Sequence, residues 1–163
     1  MTSERYRRIS APFRGKRAAW IPRADRVLTA ITYLSYPLLI AFVWWQSGQI
    51  PWRALWVPAS WLILVSLTRR LLNRPRPYER LNIEPLILKD TEGRAMPSRH
   101  AFSVWVIAVT AWWLLPPLGA VLGATAVLLC AIRVLGGVHD EWDVTVGALV
   151  GIVSGVLGYW III

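Results

Sequence analysis

The sequence predicts an all-α, polytopic membrane helical bundle of about five transmembrane helices, with its candidate active site at one membrane interface. Three observations carry that prediction. Hydrophobic residues make up 56% of the chain and the mean hydropathy is +0.47, more apolar surface than a soluble domain of this size can bury. The apolar residues fall into five long runs, most of them near the ~20 residues that cross a hydrocarbon core. The residues with useful chemistry gather at the ends of those runs, where charge beside hydrocarbon tends to mark function.

The first 26 residues contain eight Lys or Arg and no apolar core, so they read as a basic N-terminal tail (residues 1–26) ahead of a membrane-embedded domain (residues 27–163), with no cleavable signal. Spans are expected at Val27 to Trp45, Trp52 to Leu72, His100 to Leu115, Leu118 to Ala131 and Val144 to Ile163. The third and fourth are short for a full crossing, which suits ends lying in a polar or thinned zone. The turn at Pro116-Pro117 divides the stretch from His100 to Arg133 almost equally. At ~1.5 Å per residue the two helices of that hairpin return both residues to one face. The second span ends at Arg69 on the same face, and His139 and Asp143 open the fifth one helical turn apart, so their side chains can meet.

At the opposite span ends lie Trp44, Trp45, Trp52, Trp112, Trp113 and Trp160, as expected of an interfacial aromatic belt. Gly147, Gly151 and Gly155 recur every four residues and read as a close-packing face, internal or between subunits. Cys130 is the only cysteine, so no intrachain disulfide forms; it reads as a packing residue. The connection Tyr78 to Ala95 mixes aliphatic and charged residues and is expected to lie flat on the bilayer beside the site.

Three stretches bring the chemistry: RRLLNRPRP from Arg69 to Pro77, PSRH from Pro97 to His100, and RVLGGVHDEWD from Arg133 to Asp143. They hold the only two histidines, a hydroxyl, several arginines and a carboxylate four residues after the second histidine. Arginines suit phosphate oxygens, because a guanidinium offers a planar fork of donors. Arg70, Arg74 and Arg80 are read as interfacial charges, and Asp140 and Glu141 as helix N-terminal acids.

In order and spacing, Arg69-x6-Arg76-Pro77, Pro97-Ser98-Arg99-His100 and Arg133-x5-His139-x3-Asp143 resemble the signature of the type 2 phosphatidic acid phosphatase superfamily, which includes the vanadium haloperoxidases. The resemblance covers most of the chain from the second span onward. It departs at Arg69, where that family usually has Lys, at Arg99, where it has Gly, and at Ile132, where it often has Ser. It implies a membrane lipid phosphatase that uses no metal and no cofactor. His139 is then the nucleophile, giving a phosphohistidine, Asp143 its orienting carboxylate, and His100 the acid for the leaving oxygen. Arg69, Arg76, Ser98, Arg99 and Arg133 bind the phosphoryl oxygens.

The implied partners are a lipid phosphate substrate and the surrounding membrane lipids, with oligomeric state open. Phosphatidylglycerophosphate or phosphatidate is the first substrate type. A polyprenyl phosphate or diphosphate carrier and a catalytically silent scaffold of the same fold remain as alternatives, with vanadate-dependent peroxidation remoter still. A net charge of +9 could suggest nucleic acid, but span-flanking charges are explained by topology and anionic lipid, so no nucleic-acid partner is expected. The basic N-terminal segment and the basic connection after Arg74 face Arg53 alone on the other side, which puts the multi-pass protein in the cell membrane with its site on the cytoplasmic face. Bacterial relatives with six spans and an outward site resemble a longer version of this chain.

Overall fold

A computed structural model describes residues 1–89 and 91–161. Every regular element among them is helical: α1 (Ser3–Ser10), α2 (Trp20–Ser47), α3 (Trp52–Leu72), the short α4 (Pro77–Arg80), α5 (Arg99–Leu114), α6 (Pro116–Leu135) and α7 (Glu141–Val156). A wider π-helical turn, Leu157–Ile161, continues α7. Four helical stretches of the described residues are long and apolar enough to cross a membrane: Gly15–Ser47, Trp52–Arg80, Pro116–Leu135 and Glu141–Ile161. The protein is therefore a multi-pass membrane protein. The expected third span corresponds to α5, which has only 16 residues. Ile162 and Ile163, the last residues of the expected fifth span, lie outside the described residues.

The helix limits follow local chemistry. Asn73 takes a left-handed conformation (φ 37°) that ends α3, a role asparagine fills well. Ser98 caps α5, its hydroxyl accepting from the Ala101 amide at 3.4 Å. Leu115 breaks the chain between α5 and α6, and Pro116 and Pro117 occupy the first positions of α6, where a missing amide hydrogen costs nothing.

Short α5 is the centre of the bundle, packed along α6 and α7 and touching α2 and α3. Phe102 and Val106 meet Val65 of α3, Val104 meets Ala126 and Leu129 of α6, and Ile107, Ala108 and Ala111 meet Leu39 of α2 and Leu122 of α6. Outward-facing Leu38, Ile63, Leu64 and Val121 stay exposed, as lipid contact requires. The glycine stripe of α7 packs internally: a Cβ at Gly147, Gly151 or Gly155 would come within 2.6 Å of Ser98, Phe102 or Val109 of the α5 region. Thr110 and Tyr159 exchange a buried hydroxyl contact of 2.7 Å across the same interface.

The tryptophans expected at the far ends lie there, and all but Trp113 are exposed; Trp113 stacks on Tyr159 with ring centroids 4.7 Å apart. Exposed Trp20 and Trp142 form a counterpart at the other end, at the starts of α2 and α7.

The connection after α3 does not lie flat as expected. Ile83 and Ile87 are buried, and Ile87 joins Ile21, Ile132 and Val138 in one cluster while its amide donates to the Gly136 carbonyl at 3.1 Å. Aliphatic residues adjacent to an open apolar cluster gain more by filling it than by lying on headgroups. Leu88 alone stays fully outside, 84% exposed. The N-terminal segment folds over this layer. Tyr6 of α1 is wholly buried, its hydroxyl donating to the Glu84 carbonyl and accepting from the Leu86 amide, and its ring packs on Gly137, which sits at φ 76°. A side chain at that glycine would suffer both the left-handed backbone and the tyrosine ring.

Candidate active site

The three motif stretches meet at one end of the bundle. Arg69 closes α3 and donates to the Pro97 carbonyl at 3.1 Å and to the Arg94 carbonyl, so the first motif holds the backbone of the second. The Ser98 amide donates to the Asp143 carbonyl at 2.8 Å, which ties the second motif to the third. Arg76 precedes α4 and reaches the Gly93 carbonyl at 3.1 Å and the Val138 carbonyl at 3.5 Å. Arg69, Arg76, Ser98, Arg133, His139 and Asp143 are each at most 5% exposed.

His139 and Asp143 lie one turn apart as the spacing predicts, with Nδ1 3.6 Å from the carboxylate Oδ2. The other role of Asp143 is a cap: its Oδ2 accepts from the Asp140 amide at 2.8 Å at the start of α7, so the helix-end reading of Asp140 holds. Burial, reinforced by the Arg76 and Arg133 charges and opposed by Asp143, lowers the His139 pKa to about 4. The imidazole is thus neutral at physiological pH, with a lone pair available.

Arg133 stands on α6 with its Nε 3.0 Å from Asp25 Oδ1 on α2. Among the described residues its Nη1 is buried with no hydrogen-bond acceptor, and so is His139 Nδ1. Buried donors without acceptors are costly, and the oxygens of an anion would satisfy them. His100 on α5 is half-buried, and the Tyr33 ring stacks beside it at 6.3 Å and 29°.

Arg74 and Arg80, read as interfacial charges, also pair with acids: Arg80 lies 2.6 Å from Asp140 Oδ2, and Arg74 3.4 Å from it and 3.3 Å from Asp143 Oδ1. They offset the acids beside His139. Arg99 stands apart from the buried cations. It is exposed and lines a groove with His100. Ile132, where the family often has Ser, fills the cluster with Ile21 and Ile87.

Asp25, Tyr33 and Lys89 escaped the sequence reading. Lys89 sits within electrostatic reach of Arg133, Arg76, Asp25 and Arg69, and burial with those arginines brings its pKa down to about 8. An acid at the edge of the first apolar run was a legible signal for Asp25; nothing local marks Lys89.

Residues 50–163 match the PAP2 superfamily. The chain belongs to that superfamily. No match was found among curated protein sequences. Among solved structures it is similar to LpxE of Aquifex aeolicus, at 24% identity and a TM-score of 0.73, covering 96% of this chain and 93% of that one. It also resembles a transmembrane PAP2 type phosphatidylglycerolphosphate phosphatase from Bacillus subtilis, at 23% identity and a TM-score of 0.54, covering 94% and 90%. The PAP2 membrane fold thus extends through α2, which lies outside the matched residues and carries Asp25 and Tyr33.

Proposed function

We propose that this protein is a membrane lipid phosphatase that hydrolyses a phosphate monoester of the phosphatidylglycerophosphate or phosphatidate type through a phosphohistidine. The observation that carries the reading is the buried cluster of Arg69, Arg76 and Arg133 around a neutral His139, with an Arg133 donor that has no acceptor among the described residues. Membership of the superfamily and likeness to a phosphatidylglycerolphosphate phosphatase support it.

Asp143 addresses Nδ1 of His139, which leaves Nε2 to attack phosphorus. As the nitrogen-phosphorus bond forms, the bond to the lipid oxygen breaks, and His100 gives that oxygen its proton. His100 then takes a proton from water, which attacks phosphorus, releases phosphate and restores His139. Arg69, Arg76, Arg133 and the Ser98 hydroxyl absorb the charge on the equatorial oxygens, a task for fixed donors in a water-poor site. The reaction uses no metal, since the arginines supply the positive charge. Residues 27–163 form the catalytic membrane unit and the basic residues 1–26 its N-terminal segment, which by the positive-inside rule puts the site on the cytoplasmic face of the cell membrane.

Phosphate release from a lipid panel by the detergent-purified protein in EDTA tests this. Activity that survives chelation and vanishes in His139→Ala and His100→Ala is the expected result; no release from any lipid by folded protein, or activity abolished by EDTA and restored by a divalent cation, would overturn it.

A further inference from the structure

The groove beside His100 runs between α2, α3 and α5, with a volume of about 670 Å³. Its walls are apolar, including Leu55, Pro58, Leu62 and Ile107, and Tyr33 stands with His100 and Arg99 in its lining. A lipid chain suits such walls. The leaving oxygen of the lipid must also lie here, because His100 is the residue that would protonate it.

Arg99 lines the same groove as His100 and differs from Arg69, Arg74, Arg76, Arg80 and Arg133. Arg74, Arg80 and Arg133 face carboxylates, and Arg69 and Arg76 donate to backbone carbonyls. Among the described residues no carboxylate lies within 4 Å of Arg99, and no acceptor bonds its guanidinium. Its charge is nevertheless near enough to act on both Arg69 and His100. The Arg99 guanidinium thus stands at the edge of an apolar groove with its charge unmatched among the described residues, and an anion on a bound lipid would pair with it. In the phosphatase reading Arg69, Arg76 and Arg133 serve the scissile phosphoryl group, which leaves Arg99 without a task there.

We propose that Arg99 reads a second phosphate on the leaving group, so that the site prefers lipids in which the scissile phosphate is followed by another. This rests on the phosphatase reading and narrows it. Two lipid types share the chemistry: a phosphomonoester on a phosphodiester lipid, such as phosphatidylglycerophosphate, and a lipid diphosphate. In both, the bond between the terminal phosphorus and its bridging oxygen breaks, and the second phosphate leaves with the lipid. Phosphatidate, whose leaving group is a neutral diacylglycerol, lacks the contact.

The test compares two chain-matched pairs, phosphatidylglycerophosphate against phosphatidate and a prenyl diphosphate against its monophosphate. Wild type, Arg99→Gln, Arg99→Lys and Arg70→Gln are measured in full-length protein, Arg70 being an exposed cation at the same end. In at least one pair, Arg99→Gln is expected to lower the kcat/KM ratio of the doubly to the singly phosphorylated lipid about tenfold, mainly through KM, the scale of one hydrogen bond to a charged group. Arg99→Lys should restore part of the ratio, and Arg70→Gln should leave it unchanged. The pair that responds identifies the lipid type. Equal losses on both members of each pair would make Arg99 a general membrane anchor, and unchanged ratios would remove it from recognition; either result overturns the proposal while leaving the phosphatase reading intact. Failure of the wild type on all four lipids would instead remove the phosphatase reading itself.

Discussion

Replacing Gly147 by alanine should damage stability and catalysis together. A Cβ there would lie 2.5 Å from the Ser98 carbonyl oxygen, with Ala101 Cβ at 3.1 Å and the Ser98 nitrogen at 3.2 Å. Carbon-oxygen contacts settle near 3.3 Å or beyond, so α7 must retreat by roughly 0.8 Å, against backbone that cannot swing aside. Overpacking of this kind costs about 1–3 kcal/mol, which at this chain length corresponds to a fall in Tm of about 3–10 °C. The same retreat stretches the 2.8 Å bond from the Ser98 amide to the Asp143 carbonyl and separates His139 from His100. A misplacement near 1 Å can lower kcat about 100-fold. Gly123→Ala is the control, because nothing lies within 4 Å of a Cβ at that position, and it should shift stability by no more than ~0.5 kcal/mol. Thermal unfolding in detergent and initial rates of phosphate release measure both effects. A Gly147→Ala protein with wild-type Tm and kcat, or a Gly123→Ala protein equally impaired, would refute this account of the α5–α7 contact.

The His139 pKa sets a pH dependence. The unfolded group protonates near 6.5 and the folded one near 4, so the folded state loses stability as pH falls from 6.5 toward 4, by about 3 kcal/mol in all. In His139→Asn the slope of Tm against pH across that window should flatten; an unchanged slope would place the acid sensitivity elsewhere. Lys89, with its pKa near 8, should lose charge as pH rises through that value, so KM for the lipid phosphate climbs above pH 8 in wild type and much less in Lys89→Arg, as pH–rate profiles would record. Asp25→Asn leaves Arg133 buried without its counter-charge, which costs about 3 kcal/mol and should lower both Tm and kcat. Wild-type values for both would mean that Arg133 is held by other groups.

The helices were legible because their signals are local. Trp52 to Leu72 matches α3 residue for residue, since Pro51 precedes the run and Asn73 ends it in a left-handed turn. The motif spacings placed Arg69, Ser98, Arg133 and His139 correctly at one end, because helix rise alone returns them there. What stayed hidden depends on partners distant in sequence. Nothing near Ile87 announces that it will pack on Ile132 and Val138, and the outward turn of Arg99 follows only once Ser98 is tied to α7. The glycine spacing of α7 announced a close neighbour without naming it; the contacts with Ser98, Phe102 and Val109 supply the name.

The ion pair between Asp25 and Arg133 bears on how the chain is made. Helix α2 leaves the ribosome long before α6, so the carboxyl group of Asp25 enters the bilayer edge with its counter-charge not yet synthesised. Until α6 arrives that carboxyl is either protonated or held at the headgroups, since an ionised acid does not settle alone in hydrocarbon. Docking of α6 then joins charge neutralisation to assembly of the phosphate pocket. A chain that halts before α6 keeps an unmet acid in its first span, a chemical mark by which membrane quality control could distinguish unfinished copies from finished ones.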